Sequence, residues 1–363
     1  MKKSLVVLCD GTWQTADQQY PTNVRLMHSA LNKRDHKGRL QLAFYQQGVG
    51  ADGLAIEKIL GGTSGLGLSD NIKEAYHFIV ENYSPGDRLF LLGFSRGAFT
   101  ARSLAGLIGC AGILKHDAFP PDRWYVPDIL CTDRGEAIDT IYEMYRDQAV
   151  QSEIDAKVPA DSRHRGVEVD MVGVWDTVGS LGIPILDPDS IVNRRYQFHN
   201  VKLGRHIKRA YHAVSIDELR QPFAPTLWEA DNTVEGQVVE QVWFAGDHGG
   251  VGGGRFVDGL SNIAFQWMCR KLTECGVSLN TSDSHPEGIR HPDRKPYVKD
   301  PVVNEITGFY KRLGEHQRDM TNRAYAGIKV HATVHAKIKD GYKPAAIYDP
   351  DLPVEDIDAA FGA

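Results

Sequence analysis

The sequence predicts an α/β fold: a mostly parallel sheet with helices on both faces. Three observations carry this. Short apolar runs recur along the chain, and helical patterns alternate with them through the first 112 residues. That rhythm implies parallel pairing and right-handed crossovers. The runs are also nearly continuous, as in strands buried on both faces. Leu5-Val6-Val7-Leu8-Cys9 is the first strand. Asn23–Leu31 reads as a short helix capped by Thr22 or Asn23, and Gln41–Gln46 as a second strand. A glycine-rich loop, Gly48 to Gly67, leads to a helix capped by Ser69 or Asp70. Its residues Ile72, Ala75, Tyr76, Ile79, Val80 and Tyr83 share one face. The turn Ser84-Pro85-Gly86-Asp87 precedes a third strand, Arg88–Phe94, and a helix, Arg96–Cys110.

From Ile113 to Arg165 the alternation breaks. This stretch holds Pro120-Pro121-Asp122-Arg123-Trp124-Tyr125 and an amphipathic helix, Glu136–Arg146, and is predicted to be a cap inserted over the sheet. Strand signals resume at Val169–Trp175, His212–Ile216 and Val238–Phe244, followed by a helix near Ser261–Cys275 and a polar loop, Asn280–Asp300. A helix over Val302–Met320 and a strand over Ile328–Ile338 are then expected. The acidic end, Asp340–Ala363, is assigned to the surface. The chain is read as one domain, 1–363, with a cap at 113–165 and a C-terminal extension at 280–363.

Composition narrows the function. At 363 residues the chain buries roughly three quarters of its unfolded surface, so no disulfide or metal staple is required. The net charge of −6 argues against a nucleic-acid scaffold. The 5 cysteines form no CxxC pair and read as reduced thiols. The run Leu5–Cys9 is too short for a signal-peptide core, and no stretch is long and apolar enough to span a membrane. The expectation is a cytoplasmic protein, or one exported without a cleavable signal.

Gly93-Phe94-Ser95-Arg96-Gly97 matches G-x-S-x-G between a buried strand and a helix. That is the setting of a nucleophile elbow, and it points to an α/β-hydrolase. A serine there sits on a strained turn, and flanking glycines let strand and helix pack closely. Ser95 is the candidate nucleophile, and the amide of Arg96 one oxyanion donor. A base and an orienter should follow at later strand ends. His248 lies just after Val238–Phe244, on what reads as a loop with 6 glycines between Gly246 and Gly254. It is the candidate base. Asp176 and Asp217 both end strands, where catalytic groups gather in α/β sheets, and these residues alone do not separate them. The turn after the first strand offers the second oxyanion donor, Gly11 or Thr12.

Other motifs carry less. Gly48-Val49-Gly50-Ala51-Asp52-Gly53 matches GxGxxG but follows the second strand and lacks the dinucleotide context. Gly61–Gly67 lacks the lysine of a phosphate-binding loop. His331 and His335 fall on one face of the expected strand, without further metal ligands beside them. The basic stretch Arg194, Arg195, Lys202, Arg205, Lys208 and Arg209 reads first as a solvated face and second as a contact for anionic headgroups.

CDGTW at 9–13, GFSRGAFTARSLAG at 93–106, VGVWDTVGSLG at 172–182, HAVSIDELR at 212–220 and VWFAGDHGGVGGG at 242–254 together resemble one family. It is the α/β-hydrolase family that includes the catalytic domain of type VI secretion phospholipase effectors. The resemblance covers roughly 4–275. It implies Ser95 as nucleophile, His248 as base and Asp176 as acid, with Asp217 the alternative from the residues alone. It also implies hydrolysis of an ester, with phospholipid or lysophospholipid among the candidates. The expected chemistry needs no metal or organic cofactor. Its partner is a small-molecule or lipid ester, with peripheral rather than spanning membrane contact and no nucleic acid. Thioester or amide hydrolysis by the same triad, and a catalytically silent fold that binds a ligand or protein, are the competing readings.

Overall fold

In the computed structural model of the chain, the described residues are 2–11, 19–48, 64–119, 133–179, 203–304, 306 and 310–356. Among them, eight strands form one sheet: β1 (Lys3–Cys9), β2 (Leu40–Gln46), β3 (Arg88–Phe94), β6 (Met171–Trp175), β7 (Arg209–Ser215), β8 (Val238–Phe244), β9 (Ile328–His331) and β10 (Val354–Glu355). A separate antiparallel pair joins β4 (Ile113–Leu114) to β5 (Arg163–His164). The large sheet runs in the order β10-β9-β8-β7-β6-β3-β1-β2, and every neighbouring pair is parallel.

Helices cover both faces: α1 (Asn23–Ala30), α2 (Ser64–Asn82), α3 (Arg96–Ala111), α4 (Arg134–Arg146), α5 (Gln151–Lys157), α6 (His248–Gly252), α7 (Gly259–Glu274), α8 (Tyr310–Leu313) and α9 (Ala332–Lys339). The period-two alternation of strand side chains divides the core. Leu5, Val7, Leu89 and Leu91 pack under α2 and α3, whereas Val6, Leu8, Phe90 and Leu92 pack under α1 and α7. A third apolar cluster joins β7, β8, β9 and α9 at the far edge.

The order places a topological switch at the centre. From β1 the chain moves outward to β2, then returns to place β3 on the other side of β1. Crossovers leave in opposite directions there, which opens a crevice at the carboxyl ends of β1 and β3. Gly11 and Ser95 follow those two strands.

The C-terminal third departs most from expectation. Of the described residues in the expected helix, only Tyr310–Leu313 (α8) are helical; residues 302–304, 306 and 314–320 are not. Gly314 has φ +90°, a left-handed turn that ends a helix, and the chain beyond it is extended. The backbone of Glu315 then forms a β-bridge with that of Arg220, and the backbone of Asp319 with that of Ile347. The expected strand Ile328–Ile338 is a strand followed by a helix. His331 caps α9 by accepting the Thr333 N–H, and Val330, Val334 and Ile338 meet one core at helical spacing. His331 and His335 therefore do not share a strand face. The acidic end is not merely surface: β10 extends the sheet, and buried Glu355 bonds Lys271, Lys329 and Arg270.

The described part of 113–165 packs outside α2 and α3. Ile113, Leu114, Ala137, Ile138 and Ile141 join their core, and Tyr142 bonds Ser69. Trp124, Tyr125, most of the glycine-rich loop with its GxGxxG motif, and Arg194–Lys202 lie outside the described residues. No described helix is long and apolar enough to cross a membrane.

Candidate active site

Ser95 links β3 to α3 and has φ 57° and ψ −123°. A non-glycine residue with such a φ is costly and persists only where packing enforces it. Two close approaches enforce it here. A Cβ on Gly93 would lie 2.3 Å from the Gly97 carbonyl oxygen, and one on Gly97 would lie 2.1 Å from that of Cys9. Only glycine lets β3, α3 and β1 come this close. The Ser95 N–H donates to the Trp175 carbonyl at 3.1 Å, tying the elbow to the end of β6. Arg96 opens α3, so its amide stands at the helix's positive end.

Parallel register brings the partners to the same level. Phe94 pairs Trp175, Trp175 pairs Ala213, and Ser215 pairs Phe244. The next residues along β6 and β8 lead directly to Asp176 and to the segment carrying His248. Asp176 is fully buried, also at positive φ (37°), and its Oδ2 lies 2.6 Å from His248 Nδ1. His248 does not lie on a loop. It is the first residue of α6, whose N-cap Asp247 accepts the Gly250 N–H and pairs with Arg255. The imidazole is flanked by Phe94 (centroids 4.6 Å apart) and by the edge of Phe223 (4.9 Å). Glu218, paired with Arg220, accepts the His248 backbone N–H.

Asp176 has further partners. The Ser215 N–H donates to Oδ1, and buried Arg318 donates Nη1 to Oδ1 at 2.6 Å and Nη2 to Oδ2 at 3.0 Å. Burial alone would raise this carboxyl. The Arg318 charge, with the contributions of His248, outweighs burial and holds it well below the ordinary aspartate range. Behind it, His212 Nε2 accepts the Thr177 N–H at 3.0 Å, and burial pushes this imidazole down to about 3, so it is neutral.

Asp217, the alternative acid, does not contact His248. Its oxygens accept from Tyr342 Oη, the Ala345 N–H and the Gly246 N–H, which fastens the C-terminal segment to β7 and β8. Gly11 does adjoin Ser95, since a Cβ on it would lie 3.2 Å from Ser95 Cβ. Its amide, however, donates to Asp10 Oδ1 at 2.7 Å. Thr12 lies outside the described residues. No cluster of metal ligands occurs among the described residues.

Sequence reasoning missed Arg318, Glu218 and Phe223. Glu218 and Phe223 follow β7 closely and were open to notice. Arg318 is 142 positions from Asp176, inside an expected helix, and no local pattern marks it.

The parallel sheet, the strained serine between strand and helix, and the histidine–aspartate pair at later strand ends define an α/β-hydrolase fold. The chain belongs to the family described as T6SS, Phospholipase effector Tle1-like, catalytic domain, whose model matches residues 3–271. It is 26% identical over 236 residues to an uncharacterized protein of Saccharomyces cerevisiae, covering 61% of this chain and 32% of that one. Among solved structures it is similar to an uncharacterized protein from Pseudomonas aeruginosa (17% identity, TM-score 0.41, 77% of this chain and 47% of that). It is also similar to the Tle1 effector bound to the VgrG spike of the type 6 secretion system (16% identity, TM-score 0.35, 71% and 52%). The chain thus spans about a third of the yeast relative and about half of each of these two structures.

Proposed function

We propose that the chain is a serine hydrolase that cleaves carboxylic esters through an acyl-enzyme on Ser95. The observation that carries this is the 2.6 Å Asp176–His248 contact at the strand ends beside the strained Ser95 elbow. With Nδ1–H bonded to Asp176, Nε2 is the basic nitrogen. It takes the Ser95 proton as Oγ attacks the acyl carbonyl, and Asp176 stabilises the imidazolium that forms. The Arg96 amide, at the N-terminus of α3, stabilises the oxyanion. Because the Gly11 amide is committed to Asp10, Thr12 is the remaining candidate for the second donor. Collapse expels the alcohol, which takes its proton from His248. Water then attacks the acyl-enzyme by the same route in reverse.

Membership of a phospholipase effector family makes lipid esters the favoured substrate class. Partly exposed Phe223 beside the base, with Tyr310 T-shaped to it at 5.8 Å, offers an apolar wall for an acyl chain. Each methylene buried there adds about 0.8 kcal/mol. Turnover of p-nitrophenyl esters is therefore expected to show a burst of product equal to the enzyme present. kcat/KM should rise with acyl length until the wall is covered. Lysophospholipid should exceed packed vesicle phospholipid. Absence of both burst and turnover supports the silent-fold reading, and a preference for thioesters or amides redirects the assignment.

A further inference from the structure

Asp176 meets the His248 ring, Glu218 its backbone N–H, and Asp247 precedes it in the chain, and each of these carboxylates has its own arginine. Asp247 pairs with Arg255, Glu218 with Arg220, and Asp176 with Arg318. The last pair is the most enclosed, with both side chains fully buried. Arg318 also donates Nη1 to the Ser215 carbonyl at 2.9 Å and Nη2 to the Phe223 carbonyl at 2.8 Å. One guanidinium therefore clamps both oxygens of Asp176, the end of β7, and the backbone of the residue whose ring edges His248. Its own backbone is fixed where the Ile347 N–H donates to the Arg318 carbonyl and the Met320 N–H donates to the Ile347 carbonyl. Arg318, Met320 and Ile347 lie beyond residue 271, where the family match ends, while the groups that Arg318 clamps lie within it.

We propose that Arg318 is a positioning residue of the hydrolytic site: it fixes the rotamer of Asp176, and through it the orientation of the His248 imidazole, and offsets the charge of the carboxylate on which His248 rests. This rests on the hydrolase reading above. A lone buried aspartate would favour imidazolium at His248, and an imidazolium accepts no proton from Ser95. A guanidinium on the far side of the same carboxylate cancels part of that field. The other groups facing the pair do not replace it. Arg220 and Arg255 are engaged with Glu218 and Asp247, and His212 is held neutral. Arg102, from α3, acts on His212, and His316 lies under the field of Arg318 itself.

The test compares pH profiles of kcat/KM for wild type, Arg318→Gln and Arg318→Lys on one soluble ester, with folding checked by circular dichroism. Loss of the charge should move the acid limb of R318Q up by about one pH unit. R318Q should then fall about tenfold further behind wild type at low pH than on the plateau. R318K keeps a point charge without the planar fork, so its acid limb should stay near that of wild type while its plateau kcat drops. If R318Q does not fold, supplying guanidinium ion to Arg318→Ala should restore the wild-type limb. A purely structural role predicts lower activity with an unmoved limb in every variant, and that result overturns the proposal. Fluorophosphonate labelling of wild type separates the two claims. No adduct on Ser95 defeats the hydrolase reading itself, whereas labelling with an unmoved limb defeats only the role of Arg318.

Discussion

Ser95→Ala should lower ester turnover by about 10⁵–10⁶-fold while leaving the fold intact. The hydroxyl is the only group removed, and alanine occupies the same space beside Gly11. Nucleophile and base act as a unit, so His248→Ala should cost nearly as much and the double variant little more. The elbow adds a second readout. Serine and alanine at φ 57° both carry backbone strain, of order 1–3 kcal/mol, which glycine would relieve. Ser95→Gly should therefore be as inactive as Ser95→Ala but unfold at higher denaturant concentration. Wild-type turnover in a folded S95A protein would remove Ser95 from the mechanism.

Asp176→Asn should lower kcat on the order of 10⁴-fold, because the amide lets His248 settle in the wrong tautomer. Here the variant should also lose stability. Arg318 is buried against both carboxylate oxygens, and stranding a buried charge costs about 3–5 kcal/mol. Asp217→Asn gives the contrast. It weakens the bonds from Tyr342, Ala345 and Gly246, so it should unfold more readily yet keep kcat within a few-fold. Rates and urea midpoints for the two variants separate the roles. The assignment reverses if D217N loses activity and D176N keeps it.

Much of this was legible in the sequence because it is local. The runs Leu5–Cys9 and Arg88–Phe94 announce buried parallel strands, and G-x-S-x-G between strand and helix announces the elbow. Strand ends also mark Asp176, Asp217 and His248 as neighbours in space. What separates the two aspartates is register, since Trp175 pairs Ala213 and sets Asp176 under His248, and register is not written in any short segment. The C-terminal third departs from its sequence pattern for a related reason. Val302, Ile306 and Leu313 share a helical spacing, yet Val302 and Ile306 are not helical, Gly314 turns left-handed, and the segment after it is held by contacts with Leu219, Arg220 and Ile347. Val330, Val334 and Ile338 satisfy a strand's alternation and a helix's i, i+4 spacing alike, and the cap at His331 decides between them. Arg318 is recruited by tertiary structure alone.

The proposed role of Ser95 is that of a nucleophile activated by His248 and Asp176. Its most direct test is fluorophosphonate labelling of the folded protein, read by intact mass and peptide mapping. One adduct per chain is predicted, on Ser95, absent from S95A and greatly slowed in H248A. A protein that takes up no label, or takes it on another residue with S95A labelled as fully as wild type, would contradict it.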